Sequence, residues 1–179
     1  MATMFHRAKI SLESVQTGDE AMGGPVYNPV MEYYQELSDG LLTGQCDRSW
    51  FKEFEIAAST TQNVCLYNNN TVDGIVSPWG GNLKMLRVVG LMVTVAGTTD
   101  GATSGTIDIG AAASNGYWGF STGSTHKIRI RAGGAIFLMA PGATSYGDIT
   151  PGTGDTIALT NISVAPSTVR IGVLGRSAW

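Results

Sequence analysis

The stretch "GFSTG", Gly119 to Gly123, has the G-x-S-x-G spacing that surrounds the nucleophilic serine of many hydrolases. A serine hydroxyl is a weak nucleophile until a base takes its proton, and an acid must orient that base. In the hydrolase order the serine comes first, then the acid, then the histidine. His126 is the only histidine after Ser121, no Asp or Glu lies between them, and the other histidine is His6. A nucleophile elbow also needs a strand before the serine and a helix after it. Here "STGSTHKIRIRA" reads as a turn and then a strand, whose alternation puts His126 on the core side with Ile128 and Ile130. We therefore expect "GFSTG" to be a turn, Ser121 to hydrogen-bond within it, and the chain not to be an enzyme.

Other constellations point the same way. Asp100, Asp108, Asp148 and Asp155 fall in or beside loops, with Asn115 near, and calcium favours carboxylates in irregular loops. No D-x-[DN]-x-[DN]-G run is present, and turn chemistry accounts for each Asp. Cys46 and Cys65 stand apart with no second pair, so the spacing suits buried thiols rather than zinc or a disulfide framework. "PGTGDT" has glycines but no following Lys-Ser/Thr, and it opens a strand. The triplets Asn69-Asn70-Thr71 and Asn161-Ile162-Ser163 match the glycosylation pattern, and both are expected to be silent because no signal peptide is recognisable. The expected catalytic, cofactor-binding and metal sites are none.

Two features are suited to contact rather than catalysis. Lys127, Arg129 and Arg131 alternate along one strand face, with Arg170 and Arg176 expected close by. Such a row is a solvated face or a contact with an acidic partner. Tyr117, Trp118 and Phe120 cluster in one glycine-rich loop, where they either cap a core or stack on a sugar.

These residues need elements to hold them. From Trp50 onward the pattern has period two. "WFKEFEI", "NVCLY", "LKMLRVVGLMVTVA", "GTIDIG", "HKIRIRA", "AIFLM", "DTIALTNI" and "STVRIGVLG" read as short strands. Gly-, Pro-, Asn- and Asp-rich turns separate them. The fold expected for residues 47–179 is an antiparallel β-sandwich, jelly-roll-like. Residues 1–24 show neither period and are expected to be an extended arm lying on another chain. Residues 25–46 are expected to hold one short helix and a linker. Asn28 suits its cap, Pro29 its first turn, and Gly40 its end. Val30, Tyr33, Tyr34, Leu37 and Leu41 give it a stripe at helical spacing.

Composition narrows the class. Charged residues are only 14% of the 179, against about 25% in a typical soluble domain, while Gly, Ser and Thr fill about a third. A surface so poor in charge suits a chain packed against copies of itself. A net charge of −3 argues against nucleic acid as a partner. The apolar stretch from Leu83 to Ala96 carries Lys84 and Arg87 and is too short for a membrane-spanning helix.

The runs "TIDIGAAASNGYWGFSTG" and "GDTIALTNISVAPSTVRIGVLGRS", with an arm ahead of a Gly/Ser/Thr-rich sandwich, resemble small virion structural proteins of tailed bacteriophages. The resemblance implies a capsid decoration or cement protein, or a head-fibre or tail-associated part. It also implies location in the virion, binding to other virion structural proteins, and a homo-oligomer, most simply a trimer. It carries no site residues, cofactor or small-molecule ligand. The alternative expectation is a carbohydrate- or receptor-binding module built on Tyr117, Trp118 and Phe120.

Overall fold

The computed structural model describes residues 5–13, 30–67, 83–97, 105–121, 123 and 125–178. They form ten strands, and the described residues contain no helix. Two separately packed units divide the chain at Asp39/Gly40.

The first unit is an antiparallel hairpin of β1 (Phe5–Glu13) and β2 (Val30–Ser38). This corrects one expectation: the segment expected to hold a short helix is a strand, and its partner is the described part of the arm. Asn28 and Pro29 lie outside the described residues. The physical reason lies in Val30, Tyr33 and Tyr34, whose β-branched and aromatic side chains fit a pleated surface. The apparent helical stripe splits across the two strand faces. Tyr33 and Leu37 pair with Ile10 and His6 on one face, while Tyr34 pairs with Lys9 on the other. The second face is charged: Arg7 meets Glu36 at 3.0 Å, Lys9 meets Glu32 at 3.4 Å, and the Arg7 guanidinium lies over the Phe5 and Tyr34 rings. The first face is apolar. Ala8 and Leu37 are buried on it, whereas Ile10, Leu12, Met31 and Tyr33 are exposed.

The second unit has two four-stranded antiparallel sheets. One runs β3 (Arg48–Ile56), β10 (Ser167–Arg176), β5 (Arg87–Val95), β8 (Ala135–Met139). The other runs β4 (Thr61–Cys65), β9 (Thr156–Asn161), β6 (Ile107–Ala111), β7 (Lys127–Ile130). All eight strands coincide with the period-two segments. The pairing is nested: β3 with β10, β4 with β9, β5 with β8, and β6 with β7. Alternate side chains from both sheets enter one apolar core. Trp50, Phe54, Leu91, Val93, Val169, Ile171 and Val173 come from the first sheet, and Val64, Ile107, Ile109, Ile157 and Leu159 from the second.

Strand position decides exposure. β5 lies between two neighbours, so its inner side chains are buried, but Met92 on its outer face is 46% exposed. β8 is an edge strand. Its "AIFLM" run is half-buried, with Ala135 exposed. On the opposite edge strand, Lys52 follows Trp50 and precedes Phe54 on the inward side, and its charge discourages further strands from adding there.

Candidate functional site

The described residues of "GFSTG", Gly119 to Ser121 and Gly123, turn and bend the chain between β6 and β7, as the sequence indicates; Thr122 lies outside the described residues. Ser121 Oγ lies 3.0 Å from the Gly123 carbonyl oxygen and 3.3 Å from that of Trp118, and Ser121 N donates to the same Trp118 oxygen at 2.9 Å. The hydroxyl is thus spent on its own turn. Gly119 is glycine for a packing reason: a Cβ there would collide with the Tyr146 carbonyl oxygen and the Tyr117 phenol. His126 departs from expectation. It precedes β7, its ring lies beside Gly123, and it is exposed rather than turned to the core with Ile130. Replacing Ser121 with Ala should change stability by less than about 0.5 kcal/mol in urea unfolding. Labelling of the native protein by a fluorophosphonate, absent from Ser121→Ala, would contradict the turn assignment.

The three aromatics of the loop separate. Tyr117 is buried, donating its hydroxyl to the Tyr146 carbonyl at 2.8 Å. Phe120 packs edge-on against it, with ring centroids 5.7 Å apart. Both cap the end of the core. Trp118 alone is 50% exposed, so a three-ring sugar platform is not assembled.

Burial, then the charges of Asp148 and Tyr146, push the Tyr117 phenol well above its ordinary value. A raised folded-state pKa keeps the neutral form favoured in the native protein. Its stabilising contribution is complete below pH 10 and is lost as pH rises beyond it. Tyr117→Phe should cost about 1 kcal/mol at pH 7 through the lost hydrogen bond. That deficit should close by pH 11, because the parent loses about 1.4 kcal/mol per pH unit there. Urea midpoints of both proteins at pH 7 and 11 test this; a deficit constant with pH would refute it.

The carboxylates considered for calcium do not converge. Asp155 is buried and caps its own turn, accepting from Gly152 N at 2.8 Å and Thr156 Oγ1 at 2.9 Å. Asp148 holds Arg87 at 2.8 Å. Asp108 accepts a bidentate pair from Arg129, at 2.7 and 3.0 Å. Asp100 lies outside the described residues. Among the described residues no three His, Cys, Asp or Glu side chains gather as a metal set. Cys46 is buried and Cys65 half-buried, and neither is in a disulfide.

The basic residues also part company. Lys127 and Arg129 share the outer face of the second sheet, in register with Gly110 and Asp108. Arg170 sits on the other sheet, paired with Glu53. Arg176 is buried and binds backbone carbonyls. The expected proximity of Arg170 and Arg176 to the row is therefore corrected: alternation along one strand places side chains on a face but cannot say which sheet another strand joins.

The glycosylation triplet at Asn161 has a structural role. Asn161 Nδ2 is buried and faces the carbonyl oxygens of Ile56, Ala57 and Ala165 at 3.0, 3.2 and 2.8 Å. Asn69 and Thr71 lie outside the described residues.

Two surfaces escaped the sequence reading because each is assembled from several strands. On the outer face of the first sheet, Phe51, Gly172, Met92 and Phe137 stand in one register row across all four strands. Phe51, 67% exposed, lies over Gly172, where a Cβ would come within 2.7 Å of its ring. The apolar depression beside it encloses about 370 Å³. On the outer face of the second sheet a trough of about 510 Å³, lined by both polar and small apolar residues, crosses β4, β9, β6 and β7.

The chain matches no protein-family model and no curated protein.

Proposed function

We propose that this protein is a structural component of a virus particle, a self-assembling capsid decoration or cement protein or a head- or tail-associated part. The observation that carries the reading is uncovered apolar surface in both units. A two-stranded hairpin is marginal by itself in water, and this one exposes Ile10, Leu12, Met31 and Tyr33 on one face. The second unit exposes Phe51 and Met92, with Phe137 partly exposed beside them, on the outer face of its first sheet. Contiguous apolar surface of this kind is where subunits pack. The low charge of the sequence agrees.

The nested strand order supports reading the second unit as a jelly-roll sandwich. Strands that pair first with last and inward to a central hairpin, distributed over two sheets, have that topology, which recurs in viral capsid domains and lectins. A carbohydrate- or receptor-binding module is the second reading, supported by the exposed Trp118.

The test is the mass in solution. We expect light scattering at micromolar concentration to give a trimer, three times the 18.8 kDa chain. Phe51→Glu combined with Met92→Glu should yield a folded protein of lower mass, because charges set into an interface row must be desolvated. Removal of residues 1–39 should leave the second unit folded and unable to join the particle. A clean monomer mass for the parent would refute self-assembly.

A further inference from the structure

The trough on the second sheet has the composition of a binding site. Two register rows build it. One row is Asn63 (β4), Ala158 (β9), Gly110 (β6), Lys127 (β7), and the next is Thr61, Thr160, Asp108, Arg129. In the first row the two central strands carry only Ala158 and Gly110, which makes a low floor. Asn63 and Lys127 stand at its two sides, about 14 Å apart across three strand spacings. Thr61 and Thr160 bring their hydroxyls to within 3.0 Å of each other at one end. Asp108 lies beside them, 6% exposed.

The physics of this arrangement is unusual for a bare sheet surface. Small residues on central strands forgo cross-strand packing, and glycine in a strand interior often marks a close approach. At Gly110 part of that approach is internal, since a Cβ would sit 3.0 Å from the His126 carbonyl oxygen. That reason does not extend to Ala158. Asp108 is held by two hydrogen bonds from Arg129, so its carboxylate is fixed in place and its charge is balanced. Each carboxylate oxygen keeps a second acceptor site. The trough therefore offers a fixed acceptor in Asp108, a donor and acceptor in Asn63, and hydroxyls in Thr61, Thr125 and Thr160. The Lys127 ammonium is the charge not balanced within the two rows.

We propose that this trough binds a saccharide bearing a carboxylate, such as a uronic acid residue of an acidic glycan. A volume of about 510 Å³ lies in the ordinary range for small-ligand sites. Its mixed lining, with hydroxyl, amide and charged groups around an Ala and Gly floor, suits a saccharide, which presents both hydroxyls and C–H faces. Asp108, Asn63 and the threonines match ring hydroxyls, the Ala158 and Gly110 floor takes the flat C–H face, and Lys127 pairs with the carboxylate. The site is independent of the apolar surfaces assigned to assembly.

The test is NMR shift mapping on the full chain, titrated with a glucuronic acid oligosaccharide and with a neutral glucan of equal length. We expect shifts centred on Asn63, Gly110, Lys127 and Ala158, with the neutral glucan at least tenfold weaker. Lys127→Ala should weaken the acidic ligand about tenfold, and Asn63→Ala several-fold; both residues are exposed, so thermal midpoints should hold. Ala158→Leu, which fills the trough, should abolish binding, while Trp118→Ala should leave it unchanged. Absence of trough shifts, equal affinity for the two saccharides, or undiminished binding by Ala158→Leu would each overturn the proposal. In the last case the response would be ion pairing with Lys127 alone.

Discussion

Arg176→Met should destabilise the second unit by about 3 kcal/mol, through the loss of charge-assisted hydrogen bonds from a buried guanidinium. Arg176 ends β10, is 1% exposed, and spends its guanidinium on backbone carbonyls. Nε donates to Gln45 O at 3.0 Å, Nη1 to Ala143 O at 3.2 Å, and Nη2 to Pro141 O at 2.9 Å and Gly142 O at 3.1 Å. A second arginine, Arg87, also reaches Ala143 O and holds Asp148 at the far end of the same loop. The 141–148 loop thus lies outside the main ladders and is held by these side-chain donors together with backbone bonds such as Tyr146 N to Val88 O and Gly44 N to Pro141 O. Methionine fills similar volume but gives up all four charge-assisted bonds, worth about 1.5–3 kcal/mol each and not additive. It leaves Gln45 O without its side-chain donor, whereas Pro141 O keeps Gly44 N, Gly142 O keeps Ser145 N and Ala143 O keeps Arg87. Lysine should not rescue the loss, because a compact ammonium cannot span the positions that the planar fork reaches. Denaturant midpoints of Arg176→Met and Arg176→Lys measure the effect. A loss below about 1 kcal/mol would mean that the loop finds other donors or water.

Asn161→Ala should cost about 3 kcal/mol. The side chain is fully buried and joins two chain reversals. Its Nδ2 donates toward Ile56 and Ala57, where β3 turns into β4, and toward Ala165, between β9 and β10. Its Oδ1 accepts from Ser163 N at 2.9 Å and from the Ser163 hydroxyl. Alanine removes the side-chain partners of Ile56 O and of Ser163 N in the interior, while Ala57 O keeps Thr60 and Ala165 O keeps the Ser163 hydroxyl. Asn161→Asp should be at least as damaging near neutral pH, because a carboxylate oxygen would face the carbonyls that Nδ2 now satisfies. Burial and those dipoles would raise the carboxyl pKa in the folded state above its unfolded value. Its protonated form can donate, so the variant should regain stability as pH falls through that raised value. A pH series of unfolding midpoints for Asn161→Asp against the parent checks the sign; a deficit that grows on acidification would refute the donor role.

What the sequence determines by itself is local and periodic. The strands from Trp50 to Arg176 are legible because one face of each is buried, so apolar residues recur at every second position and turn residues break the runs. The weakness of "GFSTG" as a nucleophile elbow is legible too, because an elbow needs a helix after the serine and a base with its acid. The segment from Val30 to Ser38 is not legible. Val30, Tyr33, Tyr34 and Leu37 fit a helical stripe as well as two strand faces, and only hydrogen bonding to Phe5–Glu13 selects the strand. Which strands become neighbours is likewise settled only in three dimensions. Arg129 finds Asp108, Arg170 finds Glu53 and Arg176 finds carbonyls, although all three arginines lie in similar alternating runs. The apolar row of Phe51, Met92 and Phe137 and the trough between Asn63 and Lys127 each draw single residues from distant strands. Register alone brings them together, and no local pattern records it, because a strand's sequence specifies which face a side chain takes but not what will stand beside it.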